Sequence, residues 1–226
     1  MSDASARKVA VCFPSSDIVH ADFALCLANL CMFSQNAGLN ITVINAKSSI
    51  VAEARNSAVR HAQECGADTL LFLDSDMVFP KAALVQLIGH GKDIVGATYC
   101  KRVPPYKLLG VMRSEAASDE GGGLVEMTLL PTGCMLISMA VFERLSRPYF
   151  RFETNEEAGN IRGEDYVFCE RAARAGYRVW CDVPLTNQMG HVGQKAYRLG
   201  QDAAADAPDL STRSGVAAET ATEPVG

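Results

Sequence analysis

The sequence predicts an α/β protein whose sheet is mostly parallel, with a mixed second half. Three observations carry that reading. Short β-rich runs alternate with helix-spaced segments over the first hundred residues, the pattern of strand–helix–strand units joined by right-handed crossovers. The run TLLFL at 69–73 is apolar on both faces, as a central strand covered on either side must be. Beyond Cys100 the alternation gives way to glycine and proline corners between extended runs.

The elements follow in order. Residues 8–13 (KVAVCF) form a strand ending at Pro14, and 21–35 have helical spacing through Phe23, Leu27, Leu30 and Cys31, with Gly38 as the stop. Residues 40–46 are a second strand, 50–65 a second helix closed by Gly66, and 69–73 the third strand. Residues 80–88 read as a helix with Pro80 in its first turn, and 93–97 as a fourth strand. In the second half, extended runs at 108–112 and 124–130 flank a Gly121-Gly122-Gly123 turn. A corner at Pro131-Thr132-Gly133 then leads into a strand at 134–138 and a short helix at 139–145. A helix at 164–175, ended by Gly176, precedes a last strand at 177–183. We expect one domain over 1–199, built from a first half (8–100) and a mixed second half (101–199), and a disordered tail over 200–226.

Composition narrows the function. The chain has 226 residues, 48% of them hydrophobic and 21% charged, with a net charge of -5. From Gln201 onward five acids (Asp202, Asp206, Asp209, Glu219, Glu223) face one base, Arg213, so the remaining body is nearly neutral and offers no basic footprint for nucleic acid. No apolar run reaches the ~18 residues of a membrane span, and residues 1–8 lack a secretory pattern, so a cytoplasmic location is expected. The eight cysteines include no Cys-x-x-Cys pair and read as reduced core residues.

Parallel sheets bind ligands beyond the carboxyl ends of their strands, which here are 13–16, 45–49 and 74–76. Asp74-Ser75-Asp76 is the sharpest feature. In extended backbone the two carboxylates project to one side, and at the rim of an apolar strand they repel unless a cation lies between them. A divalent ion shared with phosphates satisfies both acids, and solvated loop acids or an N-cap are the plainer alternative. His191, flanked by Gly190 and Gly193, would tilt an acid pair toward Mn²⁺, or is simply exposed. Glu164 and Asp165 open a helix, where the macrodipole alone accounts for acids and a general base is the functional alternative. Arg55 either forks onto a diphosphate or is a surface cation, and Thr132-Gly133 is a close-approach corner or a plain turn.

Taken together, SIVAEARNSAVRHA (49–62), TLLFLDSDMVFP (69–80), LPTGCMLISMAVFERL (130–145), GEDYVFCERAARAGYRVWCD (163–182) and MGHVG (189–193) resemble, in order, nucleotide-sugar glycosyltransferases of the GT-A (Rossmann-like) fold, especially small bacterial and phage-type relatives of family 2. The resemblance implies a UDP- or GDP-linked sugar donor with Mn²⁺ or Mg²⁺. Asp74, Asp76 and His191 would be the metal ligands, and Pro14, Ser15, Arg55, Asp74, Thr132 and Gly133 the donor contacts. Asp165 would be the base toward an acceptor hydroxyl of a carbohydrate, lipid or protein, with Glu164 as its helper, in a reaction that inverts the anomeric carbon. The family's Asp at the end of the second strand is absent from INAKSS (44–49), which leaves the nucleobase open. Nothing in the residues fixes the oligomeric state, a homo-oligomer included. Two rival readings share these features: a haloacid dehalogenase-type phosphatase, whose apolar strand also ends Asp-x-Asp, and a non-catalytic nucleotide-sugar or carbohydrate binder on the same scaffold.

Overall fold

A computed structural model describes residues 6–113, 123–156 and 159–193. The 121–122 turn and the 200–226 tail lie outside them. The chain runs through β1 (Lys8–Ser15), α1 (Ala21–Asn36), β2 (Asn40–Lys47), α2 (Val51–Glu64), β3 (Thr69–Leu73), β4 (Met77–Val78), α3 (Ala83–Gly89) and β5 (Ile94–Gly96). It continues through β6 (Val111–Met112), β7 (Leu124–Leu129), β8 (Cys134–Ser138), α4 (Met139–Arg144), β9 (Glu153–Asn155) and β10 (Asn160–Arg162). The last elements are α5 (Glu164–Arg174), β11 (Val179–Asp182), α6 (Val183–Thr186) and β12 (Gly190–His191).

Eight strands form one sheet in the order β2-β1-β3-β8-β5-β11-β7-β6. β2, β1, β3, β5, β11 and β6 run one way, and β8 and β7 run against them. The sheet is therefore mostly parallel and Rossmann-like, and the fourth strand of the first half, β5, does not lie beside β3. β8 is inserted between them and pairs antiparallel with both.

Period-two alternation sorts the core onto two faces. Ala10 and Cys12 of β1, with Leu70 and Phe72 of β3, meet Ala58, Val59, Phe142 and Phe168 from α2, α4 and α5. Val9, Val11, Leu71 and Leu73 point the other way, onto Phe23, Leu30, Leu84 and Leu87 from α1 and α3. Helices thus cover both faces, as a near-continuous apolar strand such as β3 requires.

Several expected boundaries move. The third helix starts at Ala83, not at Pro80, which precedes a turn. Of the expected run at 108–112, only Val111–Met112 is strand, with an isolated bridge from Cys100 to Leu108. The last expected strand shortens to Val179–Asp182, because Asp182 caps α6 by accepting a hydrogen bond from the Leu185 N–H. All eight cysteines are free; Cys12, Cys134, Cys169 and Cys181 are buried, but Cys65 and Cys100 are exposed. Burial pushes the Cys12, Cys134 and Cys169 thiols up to about 12, which leaves them unreactive. Among the described residues no helix is long and apolar enough to cross a membrane.

The topology also locates a crevice. From β1 the chain passes to β2 on one side and returns, through α2, to β3 on the other. That reversal opens the sheet beyond the carboxyl ends of β1 and β3, where ligands bind in doubly wound folds.

Candidate active site

Pro14 and Ser15 close β1, and Asp74 immediately follows β3. With Ser48, Ser49 and Val51 from the start of α2, they and Ser75 and Asp76 line a cavity of about 250 Å³. Size alone does not select it, since a cavity of about 420 Å³ lies between β7, α5 and β11, lined by Arg113, Glu126, Glu170, Arg174 and Arg178. The smaller cavity sits at the crevice and carries the acid pair.

Asp74-Ser75-Asp76 is not extended backbone. The Met77 N–H donates to the Asp74 carbonyl (3.0 Å) and closes a turn, so turn geometry, not strand spacing, aims the two carboxylates. The Asp74 N–H donates to the Gly133 carbonyl (3.0 Å), which ties the turn to the Thr132-Gly133 corner at the head of β8.

Cations do neutralise the pair, but they are arginines, one from α2 and one from the loop after β5. Arg55 Nη2 donates to Asp74 Oδ1 at 3.0 Å, and Arg102 Nη1 donates to Asp76 Oδ2 at 2.9 Å. No lysine bridges either aspartate among the described residues. Arg55 also corrects the expectation of a surface cation. It is 4% exposed and donates through Nε to Glu164 Oε1 at 2.9 Å. Burial alone pulls its pKa down, but Asp74 and Glu164 outweigh that and hold it above its ordinary value. The two acid clusters, 90 residues apart in sequence, are therefore joined by one buried guanidinium.

His191 reaches the cluster through a ladder too short for the sequence to announce. β12 pairs antiparallel with β4, setting His191 opposite Met77, and the Val192 N–H donates to the Asp76 carbonyl (2.8 Å). A Cβ at Gly190 would lie 3.2 Å from Val78 Cβ, so glycine lets the two strands close. His191 Nδ1 lies 2.9 Å from the Cys100 carbonyl, which can only accept, so Nδ1 carries a hydrogen. Nε2 then faces Asp76 Oδ2 at 3.5 Å. A ring nitrogen and a carboxylate oxygen facing each other are both atoms that can ligate a divalent cation. No three His, Cys, Asp or Glu side chains form a metal cage among the described residues. The donor set nevertheless fits an ion that takes Asp76 and His191 from the protein and further oxygens from phosphate.

On the far side of Arg55 the two acids of α5 separate. Glu164 is buried and engaged by Arg55. Asp165 is partly buried, and its Oδ1 accepts the Tyr166 N–H, at 2.8 Å. Burial, then the neighbouring Glu164 charge, push Asp165 up to about 6 from 3.8. Of the pair, Glu164 is the one paired with Arg55, and Asp165 carries the raised pKa.

Two side chains here were not anticipated. Arg102 is one, and Tyr99 is the other. Tyr99 is 6% exposed and stacks edge-on to His191 with ring centroids 4.8 Å apart. Burial first, then the Asp74 charge, raise its phenol above the ordinary range. A Cβ at Gly133 would stand 2.3 Å from Tyr99 Oη, so the corner is a close approach and not a plain turn. Gly133→Ala is expected to cost about 1–3 kcal/mol by overpacking, read as a lower denaturant midpoint. Thr132 is fully buried with its hydroxyl unpartnered. Ser15 is buried and donates to Asn45 Oδ1 (2.8 Å), while Pro14 stands at the cavity wall.

Among solved structures the chain is similar to A197 from STIV, with 17% identity over 87% of this chain and 100% of that one and a TM-score of 0.52. It is also similar to a Drosophila β-1,4-galactosyltransferase 7 variant in complex with manganese, UDP-Gal and xylobiose, with 14% identity over 85% of this chain and 77% of that one and a TM-score of 0.48. UDP-glucose pyrophosphorylase complexed with UDP-glucose matches with 11% identity over 78% and 90% and a TM-score of 0.48. No family model matches the chain, and no curated protein does. The likeness to the STIV protein is one of fold.

Proposed function

We propose that this protein is a metal-dependent glycosyltransferase of the GT-A type, taking a UDP- or GDP-linked sugar and passing it to an acceptor hydroxyl with inversion. One observation carries the reading: at the crevice, the Asp76–His191 pair and a carboxylate poised as a base belong to one construction, linked through Asp74 and Arg55. Mn²⁺ or Mg²⁺ held by Asp76 and His191, with Asp74 beside them, would act as a Lewis acid toward the departing diphosphate. The cavity beside Pro14, Ser15, Ser48 and Ser49 would take the nucleoside, and the Thr132-Gly133 corner would face the donor sugar.

The chain's own residues supply the rest. Asp165 accepts the proton of the attacking hydroxyl. Glu164, paired with Arg55, keeps Asp165 basic by like-charge repulsion. The phosphatase reading needs Asp74 as the nucleophile, whereas its Oδ1 is engaged by Arg55. Against a purely binding role stands Asp165, an acid that donor binding alone does not use.

The test mixes protein with a panel of nucleotide sugars and follows free UDP or GDP. Release with Mn²⁺ that stops on adding EDTA is the expected outcome, and Asp76→Ala is expected to lose it. Release unchanged by EDTA, or turnover of p-nitrophenyl phosphate in its place, would overturn the assignment.

A further inference from the structure

Each aspartate of the turn already holds a cation, and the two cations differ in a way that separates their roles. Arg55 is 4% exposed and pairs with two carboxylates, so withdrawing it would strand Glu164 in the interior and leave the partly buried Asp74 unpaired. Arg102 is about half exposed, at 49% of its side chain, and lies outside the regular elements, after β5. Among the described residues its polar contacts are Asp76 Oδ2 at 2.9 Å and the Val192 carbonyl at 3.1 Å. An exposed pair of this kind is weak and readily exchanged.

Its position is the informative part. The oxygen that Arg102 occupies, Asp76 Oδ2, is the same one that faces His191 Nε2. That oxygen cannot serve a guanidinium and a divalent ion in full. The Arg102 stem lies along the chain beside Gly193, where a Cβ would come within 3.0 Å of Arg102 Cδ, so glycine leaves the stem its path. A guanidinium released there stands one carboxylate away from the cavity bounded by Asp76 and Ser75. A planar fork with five donors is suited to the oxygens of a diphosphate.

We propose that Arg102 is a displaceable counter-ion of the aspartate turn and a diphosphate-binding residue. It pairs with Asp76 in the free protein, yields that oxygen when a divalent cation is bound, and then donates to the phosphates of the nucleotide. The inference rests on the metal-dependent reading of the site and adds to it a residue that no motif marks.

Two binding measurements of opposite sign test it, neither needing a known acceptor. Arg102→Gln is compared with the unaltered protein by calorimetry, first with Mn²⁺ alone and then with UDP or GDP at saturating Mn²⁺. With the competing cation removed, Mn²⁺ alone is expected to bind about two- to five-fold more tightly. The nucleoside diphosphate is expected to bind about ten-fold or more weakly. Lys101→Gln, which removes the same charge from the adjacent exposed position, is expected to move neither value beyond the general charge effect. Equal or weaker Mn²⁺ binding by Arg102→Gln, or unchanged nucleotide affinity, overturns the role of Arg102 and leaves the metal site standing. An unaltered protein that binds no Mn²⁺ with or without nucleotide overturns the metal site itself, and this proposal with it.

Discussion

Asp165→Asn is expected to lower nucleotide release from the sugar donor by about 10²- to 10⁴-fold, the usual contribution of a positioned general base, while nucleotide affinity stays within about two-fold. The amide keeps the size and the acceptor oxygen that meets the Tyr166 N–H, so α5 and its packing are retained and only the proton-accepting capacity is lost. The same group sets the pH dependence. Because burial and Glu164 hold Asp165 near 6, release is expected to rise with pH through about 6 and to level off above it, as the base becomes ionised. Stability runs the other way. A carboxyl whose pKa is raised by folding contributes stability that is complete below 3.8 and is lost as pH rises through about 6. Asp165→Asn is therefore expected to flatten that part of the stability profile. If the variant turns over normally, Asp165 is only the acid of a helix start, and the base lies elsewhere.

Much of this arrangement could be read from the chain. The alternation of the first hundred residues gave the strands, their order of appearance and the crevice at their carboxyl ends. What it could not give was strand direction. The run CMLIS of β8 is as apolar on both faces as TLLFL of β3, and burial on two sides carries no sign of parallel or antiparallel pairing. β4 and β12 have two residues each, below any periodicity, yet they bring His191 to Asp76.

Arg55 was legible in principle. Ala52, Arg55, Val59 and Ala62 fall at helical spacing on the buried stripe of α2, so a charge stood where the core pattern called for an apolar residue. In α5 the same pattern runs through Glu164, Val167, Phe168, Arg171 and Ala172, with Glu164 as the partner and Arg171 clamping the 146–149 carbonyls. A charged residue on an inward stripe needs an opposite charge or a carbonyl cluster, and here two such residues supply each other. Arg102 and Tyr99 carry no comparable mark, since they follow β5 where the chain has no period.

Arg55→Met is expected to destabilise the fold by about 3–5 kcal/mol, the range for removing one partner of a buried charge group. The methionine keeps an apolar stem against Phe72, over whose ring the guanidinium carbon lies at 5.4 Å. The loss therefore comes chiefly from leaving Glu164 unpaired in the interior and Asp74 without its buried partner. Adding Glu164→Gln to Arg55→Met should recover part of it, because the most deeply stranded charge is then gone, and denaturant midpoints measure both steps. Arg55→Lys retains the charge but offers a single ammonium for carboxylates on two sides, so an intermediate loss is expected. Stability alone would fit a scaffold residue, and the pH profile supplies the distinction. The Arg55 charge lowers the Asp165 pKa against burial and Glu164, so Arg55→Met shifts the rising arm of the release profile to higher pH, whereas Arg55→Lys leaves it near 6. An arm that stays in place when the guanidinium is removed would show that the two acid clusters, though bridged, do their work independently.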